Sequence, residues 1–378
     1  MDLKLESEHA AFRDEVRSWL RGNVPQPPLE PPATADSFAA HVAWERELHG
    51  AGYAAIHWPT EFGGRGADVV QQAIFVEEYV LAGGPERVTV VGQNLMGPTL
   101  MVHGTPEQRQ RWLPEILSAE VIWSQGFSEP EAGSDLAALR TRATRDGQGW
   151  RVNGQKIWTS YGPFADWIFA LVRTDPHAPK HKGITFMAVD LRSAGVEVRP
   201  IVQLDGHAGF GEVFFSDVLV PDDHVIGEVN GGWGVAMTTL GFERDAPAAA
   251  PAQYRRALDD LIAVARRRGL ADDPTVRHAI ASLYARLEGY RGHALHTLLR
   301  LARGESIGSD ASVTKLLWSE LERDLFETAR DLLGPEGETT VDAGWQHHYW
   351  YARAATIYAG TSEIQRNIIA ERVLGLPR

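Results

Sequence analysis

The chain has 378 residues, enough for two or three domains of about 100–200 residues each; 44% are hydrophobic and 23% charged, a composition that can bury a full core. Its 50 acidic and 37 basic residues leave a net charge of −13, which argues against nucleic acid or an anionic membrane as partner. There is no cysteine, so disulfides, thiolate metal sites and cysteine nucleophiles are excluded. The opening residues show no apolar h-region and no apolar run reaches membrane-spanning length, so a cytoplasmic location and no membrane partner are expected.

Residues 1–118 read as helical. Ser7 is placed to cap a helix whose Phe12, Val16, Trp19 and Leu20 share one face, with Gly22, Asn23 and Pro25 ending it. A proline-rich linker (Pro25 to Pro32) leads to a second helix from about 37 to 50, then a loop at Trp58-Pro59 and Gly63, Gly64 and Gly66. Thr105, Pro106 and Gln108 form a helix start: a hydroxyl cap, proline at the first helical position and a glutamine set for the capping box.

Residues 119–228 change to short β-branched and aromatic runs at 121–127, 140–145, 150–153, 167–172, 184–189, 196–201 and 212–215. Gly, Pro and Asp turns separate them, predicting an antiparallel barrel or pair of sheets. From 229 to 378 the helical period returns. Val276, Ile280, Leu283 and Leu287 make one stripe and Val313, Leu317, Leu321 and Leu325 another, as in an antiparallel helical bundle. The order is therefore N-terminal helical domain (1–118), central β domain (119–228) and C-terminal helical bundle (229–378), a multidomain α+β chain.

Two stretches carry the chemistry. Residues 127–135 read Phe-Ser-Glu-Pro-Glu-Ala-Gly-Ser-Asp, and 150–162 read Trp-Arg-Val-Asn-Gly-Gln-Lys-Ile-Trp-Thr-Ser-Tyr-Gly, two turn-rich clusters at strand ends. Some two hundred positions later, residues 357–375 read Ile-Tyr-Ala-Gly-Thr-Ser-Glu-Ile-Gln-Arg-Asn-Ile-Ile-Ala-Glu-Arg-Val-Leu-Gly. Hydroxyls beside aromatic rings suit a flavin, which needs hydrogen bonds at its pyrimidine edge and N5, an aromatic wall and partners for its pyrophosphate. The plain alternative is strand-end turns, a core tryptophan and, at Gly360-Thr361-Ser362, a helix cap made by Ser362.

Both stretches closely resemble the signatures of the acyl-CoA dehydrogenase family, and the resemblance spans essentially the whole chain. It implies that family's fold, an N-terminal α-helical domain, a central β-barrel or sheet domain and a C-terminal four-helix bundle, with FAD as cofactor. By resemblance, Phe127 (backbone) and Ser128 face the pyrimidine edge, Trp158 packs on the rings, and Ser160 donates near N5. Ser134 meets phosphate or thioester, and Thr361 and Glu363 flank the phosphate and adenosine part. Arg268 falls nearest to a family Arg-x-x-Phe-Gly segment that reaches a neighbouring subunit's adenine. The match is incomplete: Arg266-Arg267-Arg268-Gly269-Leu270 stands there, and Asp331 stands where relatives approach the cofactor with glutamine.

Removal of hydrogens across Cα–Cβ of a thioester needs a carboxylate base in a dry pocket and a hydride acceptor. Many relatives place the base before Gly-Thr-Ser; here that residue is Ala359. A minority carries it on the first long helix of the C-terminal domain, where this chain has Glu243. The resemblance thus implies Glu243 as base, Ala359 and Gly360 at the thioester carbonyl through backbone, and Arg244 near the coenzyme. Glu243-Arg244-Asp245 could equally be a solvated charge cluster. Pro247 removes the helical hydrogen bond to the Glu243 carbonyl and Pro251 repeats this one turn on, predicting a break after Glu243.

The resemblance implies FAD-dependent oxidation of an acyl-CoA thioester to its trans-2-enoyl-CoA, with re-oxidation by an electron-transfer flavoprotein or similar acceptor. The substrate is similar to the bulky acyl or steroid side-chain thioesters of bacterial members. Two alternatives remain: an FAD-poor, non-catalytic subunit of a heteromer, and a flavin oxidase or monooxygenase. A homotetramer, homodimer or heteromer fits equally. No metal is expected: His177 and His181 lack a third ligand nearby, and His347-His348 suit packing.

Overall fold

A computed structural model describes residues 6–244, 250–335 and 343–377, with backbone alone at Glu243, Arg244, Ala250 and Ala343. In chain order the helices before the sheet are α1 (Ser7–Asn23), α2 (Ala35–Gly50), α3 (Val69–Leu81), α4 (Gly97–His103) and α5 (Pro106–Leu117). The strands are β1 (Trp123–Gly126), β2 (Arg142–Arg145), β3 (Trp150–Ser160), β4 (Trp167–Arg173), β5 (Ile184–Asp190), β6 (Val196–Ile201), β7 (Phe210–Val220) and β8 (Val225–Ile226). Then come α6 (Gly232–Arg244), α7 (Ala250–Arg267), α8 (Pro274–Ala302), α9 (Ala311–Leu333), α10 (Ala343–Ala355) and α11 (Ser362–Ile368). The chain forms two compact units: residues 1–24, 68–84 and 247–378, and residues 25–67 and 85–246.

The first unit is helical. Phe12, Val16 and Leu20 of α1 are buried as the sequence predicts, and the helix stops at Asn23. Ser7, however, is the first helical residue, and the capping position, Glu6, makes no side-chain cap. Arg17 grips the buried Glu78 of α3 with bonds of 2.8 and 2.7 Å, and Arg13 reaches Glu77 at 2.5 Å. Helices α7 to α10 share one core of Tyr254, Leu258 and Leu261, Leu283, Leu287 and Tyr290, Leu321, Leu325 and Phe326, and Ala352. The predicted α8 stripe is present. On α9 the stripe is displaced: Leu317 is exposed, and burial continues from Leu325 through Ala329 and Leu332. A 3.6-residue repeat rotates away from a strict four-residue spacing.

The second unit is built on one eight-stranded sheet ordered β6-β7-β3-β2-β4-β5-β8, with β1 also pairing with β4. Antiparallel pairing dominates, as expected, but β1 and β2 both run parallel to β4. Parallel neighbours need a long crossover, and the chain between β1 and β4, which contains the β2–β3 hairpin, provides it. Strands β4 and β5 are apolar along their length because both faces are covered. Trp167, Phe169, Leu171 and Phe186 enter one core with α4, α5 and α6, while Ile168, Ala170, Val172 and Met187 enter the other. Strands β3 and β7 run to 11 residues each, longer than their predicted apolar runs, and β8 has no sequence signal. Bulges let β3 continue past Gly154.

Helix starts follow the local chemistry. Thr105 Oγ1 accepts the Gln108 N–H at 3.2 Å while Gln108 Oε1 accepts the Thr105 N–H at 2.9 Å, the predicted capping box. The Gln108 amide also reaches the carbonyls of Asp223 and Val225, so the cap ties α5 to the sheet. Helix α2 begins at Ala35 because Thr34 and Ser37 form a second such box. Among the described residues no helix is long and apolar enough to cross a membrane.

Candidate flavin and thioester site

The two halves of the 127–162 signature are stapled together. The Ile157 N–H donates to the Ser128 carbonyl at 3.0 Å, and Ser124 Oγ to the Ser160 carbonyl at 2.8 Å. Phe127 is buried edge-on against Phe169 and Phe186, which fixes the backbone leading into Ser128. Beneath them lies Lys156, fully buried, its Nζ 2.8 Å from Glu129 Oε1 and 3.3 Å from the Phe127 carbonyl. The Glu129 carboxylate also accepts the Arg140 and Thr141 N–H groups at 2.6 and 2.9 Å.

Burial pushes the Glu129 carboxyl up, but Lys156 and those donors outweigh it and hold it below the ordinary carboxylate range. Burial lowers the ammonium by more than its one carboxylate partner restores. This pair escaped the sequence reading, although a lysine at an inward-facing strand position in an apolar context was the available signal.

The end of β3 is where the backbone departs from sheet geometry. A bulge falls between Lys156 and Thr159, and Trp158 and Tyr161 take left-handed φ values of 59° and 53°. Such conformations for bulky residues persist only where the surroundings enforce them, and they concentrate at functional sites. Trp158 is 56% exposed, edge-on to Phe210, in a unit that fully buries Trp58, Trp112 and Trp123. Thr159 Oγ1 is buried without a partner, and Ser128 and Ser160 are half-buried. An open aromatic face in a segment with one buried, unsatisfied hydroxyl and two half-buried serines fits a flavin ring. Ser134 is exposed in the 130–135 turn.

Helix α6 carries Glu243 and Arg244 at its end, with their side chains outside the described atoms. The helix is bolted to α4 by the buried Thr99–Thr239 hydroxyl pair at 2.8 Å and by His103–Thr238 at 3.0 Å. Leu240 and Phe242 pack on the core. The break predicted after Glu243 falls on 245–249, outside the described residues.

In the first unit, Ala359 has a φ of 53° and Gly360 of 90°. The buried Gln365 amide donates to both carbonyls, at 2.9 and 3.4 Å. The φ of Gly360 favours glycine, and a Cβ there would also meet the tip of the Gln365 side chain at 2.5 Å. Lys315 donates to the Ala355 carbonyl at 2.7 Å, anchoring the chain just before this loop.

Thr361, not Ser362, caps α11, accepting the Ile364 N–H at 3.2 Å. Ser362 is the first helical residue, and its buried hydroxyl has no partner. Glu363 is exposed in the first turn, its carboxylate held low by its own backbone N–H and the Thr361 hydroxyl. Arg268 donates to the Leu332 and Leu333 carbonyls at 2.8 Å, closing the end of α9, and Asp331 is paired with Arg330 at 2.7 Å. His348 stacks on Phe326, in keeping with a packing role.

Residues 6–120, 124–218 and 230–374 match the models of the N-terminal, middle and C-terminal domains of acyl-CoA dehydrogenase. The chain is 43% identical to acyl-CoA dehydrogenase IpdE1 of Mycobacterium tuberculosis, across 97% of each chain. It is similar in structure to the Tcur3481-Tcur3483 steroid ACAD, with TM-score 0.89, 34% identity and full coverage of both chains. The ChsE4-ChsE5 complex from Mycobacterium tuberculosis gives TM-score 0.85 and 30% identity, again with full coverage.

Proposed function

The chain belongs to the acyl-CoA dehydrogenase family, and from that premise we propose that it binds FAD and desaturates a bulky, steroid-like acyl thioester between Cα and Cβ. When bound, FAD supplies the hydride acceptor. Glu243 takes the α-proton as general base, from the end of a helix whose Leu240 and Phe242 pack on the core. The left-handed turn at Ala359, locked by Gln365, presents its N–H to the thioester carbonyl as charge develops on the oxygen. Ser128, Ser160 and Trp158 hold the flavin ring, while Thr361, Ser362 and Glu363 take its phosphate and adenosine part.

The observation that carries this reading is the paired exchange of residues, alanine at 359 and glutamate at 243. Replacing Glu243 with Gln should abolish turnover and leave the purified protein yellow; retained turnover sinks the assignment. The bulky acyl group is supported by 34% identity with a steroid enzyme.

A second reading rests on the same alanine and on the missing Arg-x-x-Phe-Gly segment: a subunit that works only beside an unlike partner. The ChsE4-ChsE5 neighbour is itself a complex of two named components. Flavin content of the chain purified alone separates the two readings, and oxygen uptake without an external acceptor would reveal oxidase or monooxygenase chemistry.

A further inference from the structure

His41 of α2 is only 2% exposed, and both of its ring nitrogens face backbone carbonyls. Nδ1 lies 2.8 Å from the Glu86 carbonyl oxygen, and Nε2 lies 2.9 Å from that of Glu30 in the proline-rich linker. A carbonyl only accepts, whereas a neutral imidazole offers one donor nitrogen and one acceptor. Two carbonyls at these distances therefore call for two ring protons, the imidazolium form. With one proton missing, a nitrogen lone pair would face an oxygen lone pair in a site closed to water.

The surrounding charges suit a cation. On α2, Glu45 lies one turn beyond His41 and is fully buried, but the Arg87 Nε–H donates to both its oxygens, at 2.9 and 2.8 Å. That pair cancels. The two segments that grip the ring bring Glu30 and Glu86, both exposed, and the adjoining segment 161–165 brings Tyr161 as its one titratable group. The local balance is negative.

The grip extends to the flavin signature. The Tyr161 hydroxyl donates to the Glu86 carboxylate, so Glu86 is held by His41 through its backbone and holds Tyr161 through its side chain. Tyr161 directly follows Ser160, has the left-handed φ of 53°, and donates its N–H to the Gly209 carbonyl at 2.8 Å. Phe38, one turn before His41 on α2, stacks on Phe164 at 4.6 Å and tilts onto Tyr161 at 5.5 Å. One buried imidazole is thus joined, through Glu86 and the same helix face, to the turn that carries Trp158, Thr159 and Ser160.

We infer that His41 is a positioning residue for that turn: as an imidazolium it clasps Glu86 to the linker, and Glu86 in turn holds Tyr161 and the flavin-facing end of β3. Loss of a ring proton releases one carbonyl and loosens the turn, so FAD is retained less well as pH rises. The clasped state binds the extra proton, and protons therefore favour it. The inference rests on the flavin reading above and adds control of flavin retention by pH.

The experiment follows the full chain across about pH 6 to 9, as wild type, His41→Gln and Tyr161→Phe. Glutamine keeps one donor and does not titrate; phenylalanine cuts the bond to Glu86 and leaves His41 with both carbonyls. Nitrogen-15 spectra of the apo protein read the clasp without flavin. The histidine signal absent from His41→Gln should show both ring nitrogens protonated at the acid end and lose one proton as pH rises. The Trp158 indole signal, identified with Trp158→Phe, should shift with the same midpoint in wild type and stay still in His41→Gln and Tyr161→Phe. The rate of FAD release, read by flavin fluorescence, should rise about tenfold across the range in wild type, the worth of one charged hydrogen bond. In both variants it should be independent of pH.

A neutral ring throughout, a Trp158 signal indifferent to His41, or a pH dependence of release that survives in either variant overturns the inference. A merely structural His41 would lower the melting temperature of His41→Gln and leave the pH profile of release as it is in wild type. Should His41→Gln not fold, Tyr161→Phe decides alone, because its His41 still titrates while its FAD release should not follow. Apo spectra that behave as expected in a chain that takes up no FAD at any pH would retire the flavin reading and leave the clasp standing.

Discussion

Lys156→Met is the sharpest perturbation of the site's foundation. The ammonium is wholly buried, 2.8 Å from Glu129, and its loss strands a carboxylate that is nearly as buried. Breaking a buried pair from one side costs about 3–5 kcal/mol. Glu129 keeps its two backbone donors, so the lower figure applies, about 3 kcal/mol. At roughly 2–4 °C per kcal/mol for a unit of this size, the melting transition should fall by about 6–12 °C.

Lys156→Met with Glu129→Gln should recover most of that loss, because the stranded charge is gone. The FAD-loaded protein should lose more than the apo protein, since the Phe127 carbonyl loses its donor as well. Scanning calorimetry of the four proteins, apo and loaded, is the assay. The pH dependence supplies a second check. In wild type the depressed Glu129 carboxyl contributes stability that is full above its unfolded value of 4.5 and is lost as pH falls through the folded value. Without Lys156 that contribution should shrink. A single variant melting within about 2 °C of wild type, or a double variant no better than the single, would refute the reasoning.

Further outcomes are expected. Gln365→Met removes the donor that holds the Ala359–Gly360 turn and should cut kcat about tenfold with little change in KM or FAD content; unchanged kcat removes Ala359 from the thioester site. His57 is held at about 4, mainly by burial with a smaller push from Arg87, against a bond to the Gln93 backbone. The unfolded chain therefore binds a proton between pH 6.5 and 4 that the folded chain refuses. Stability should fall by about 3 kcal/mol across that window on acidification and level off below it. His57→Phe should flatten this limb, and an unaltered acid melt shows that the imidazole is not the cause.

The order helix, sheet, helix was legible because each segment's apolar period is set by its own backbone geometry, 3.6 residues in α8 and two in the half-buried strands. The signature residues were legible as a set because Phe127, Ser128, Trp158 and Ser160 cluster at strand ends. What the residue string could not show was register and closure. The bulge that turns Trp158 outward, the parallel pairing of β1 with β4, and the burial of Lys156 against Glu129 depend on which strand lies beside which. The buried stripe of α9 moved off Leu317 for a local reason, the rotation of a 3.6-residue repeat away from a four-residue spacing. Local sequence sets which conformations a segment prefers, whereas neighbours distant in the chain decide which donor is satisfied, which face is covered and which charge is stranded. The loop joining β4 to β5 shows both at once: its basic composition stands in the sequence, but the Arg173 guanidinium beneath it and Trp233 against His181 meet it only in three dimensions.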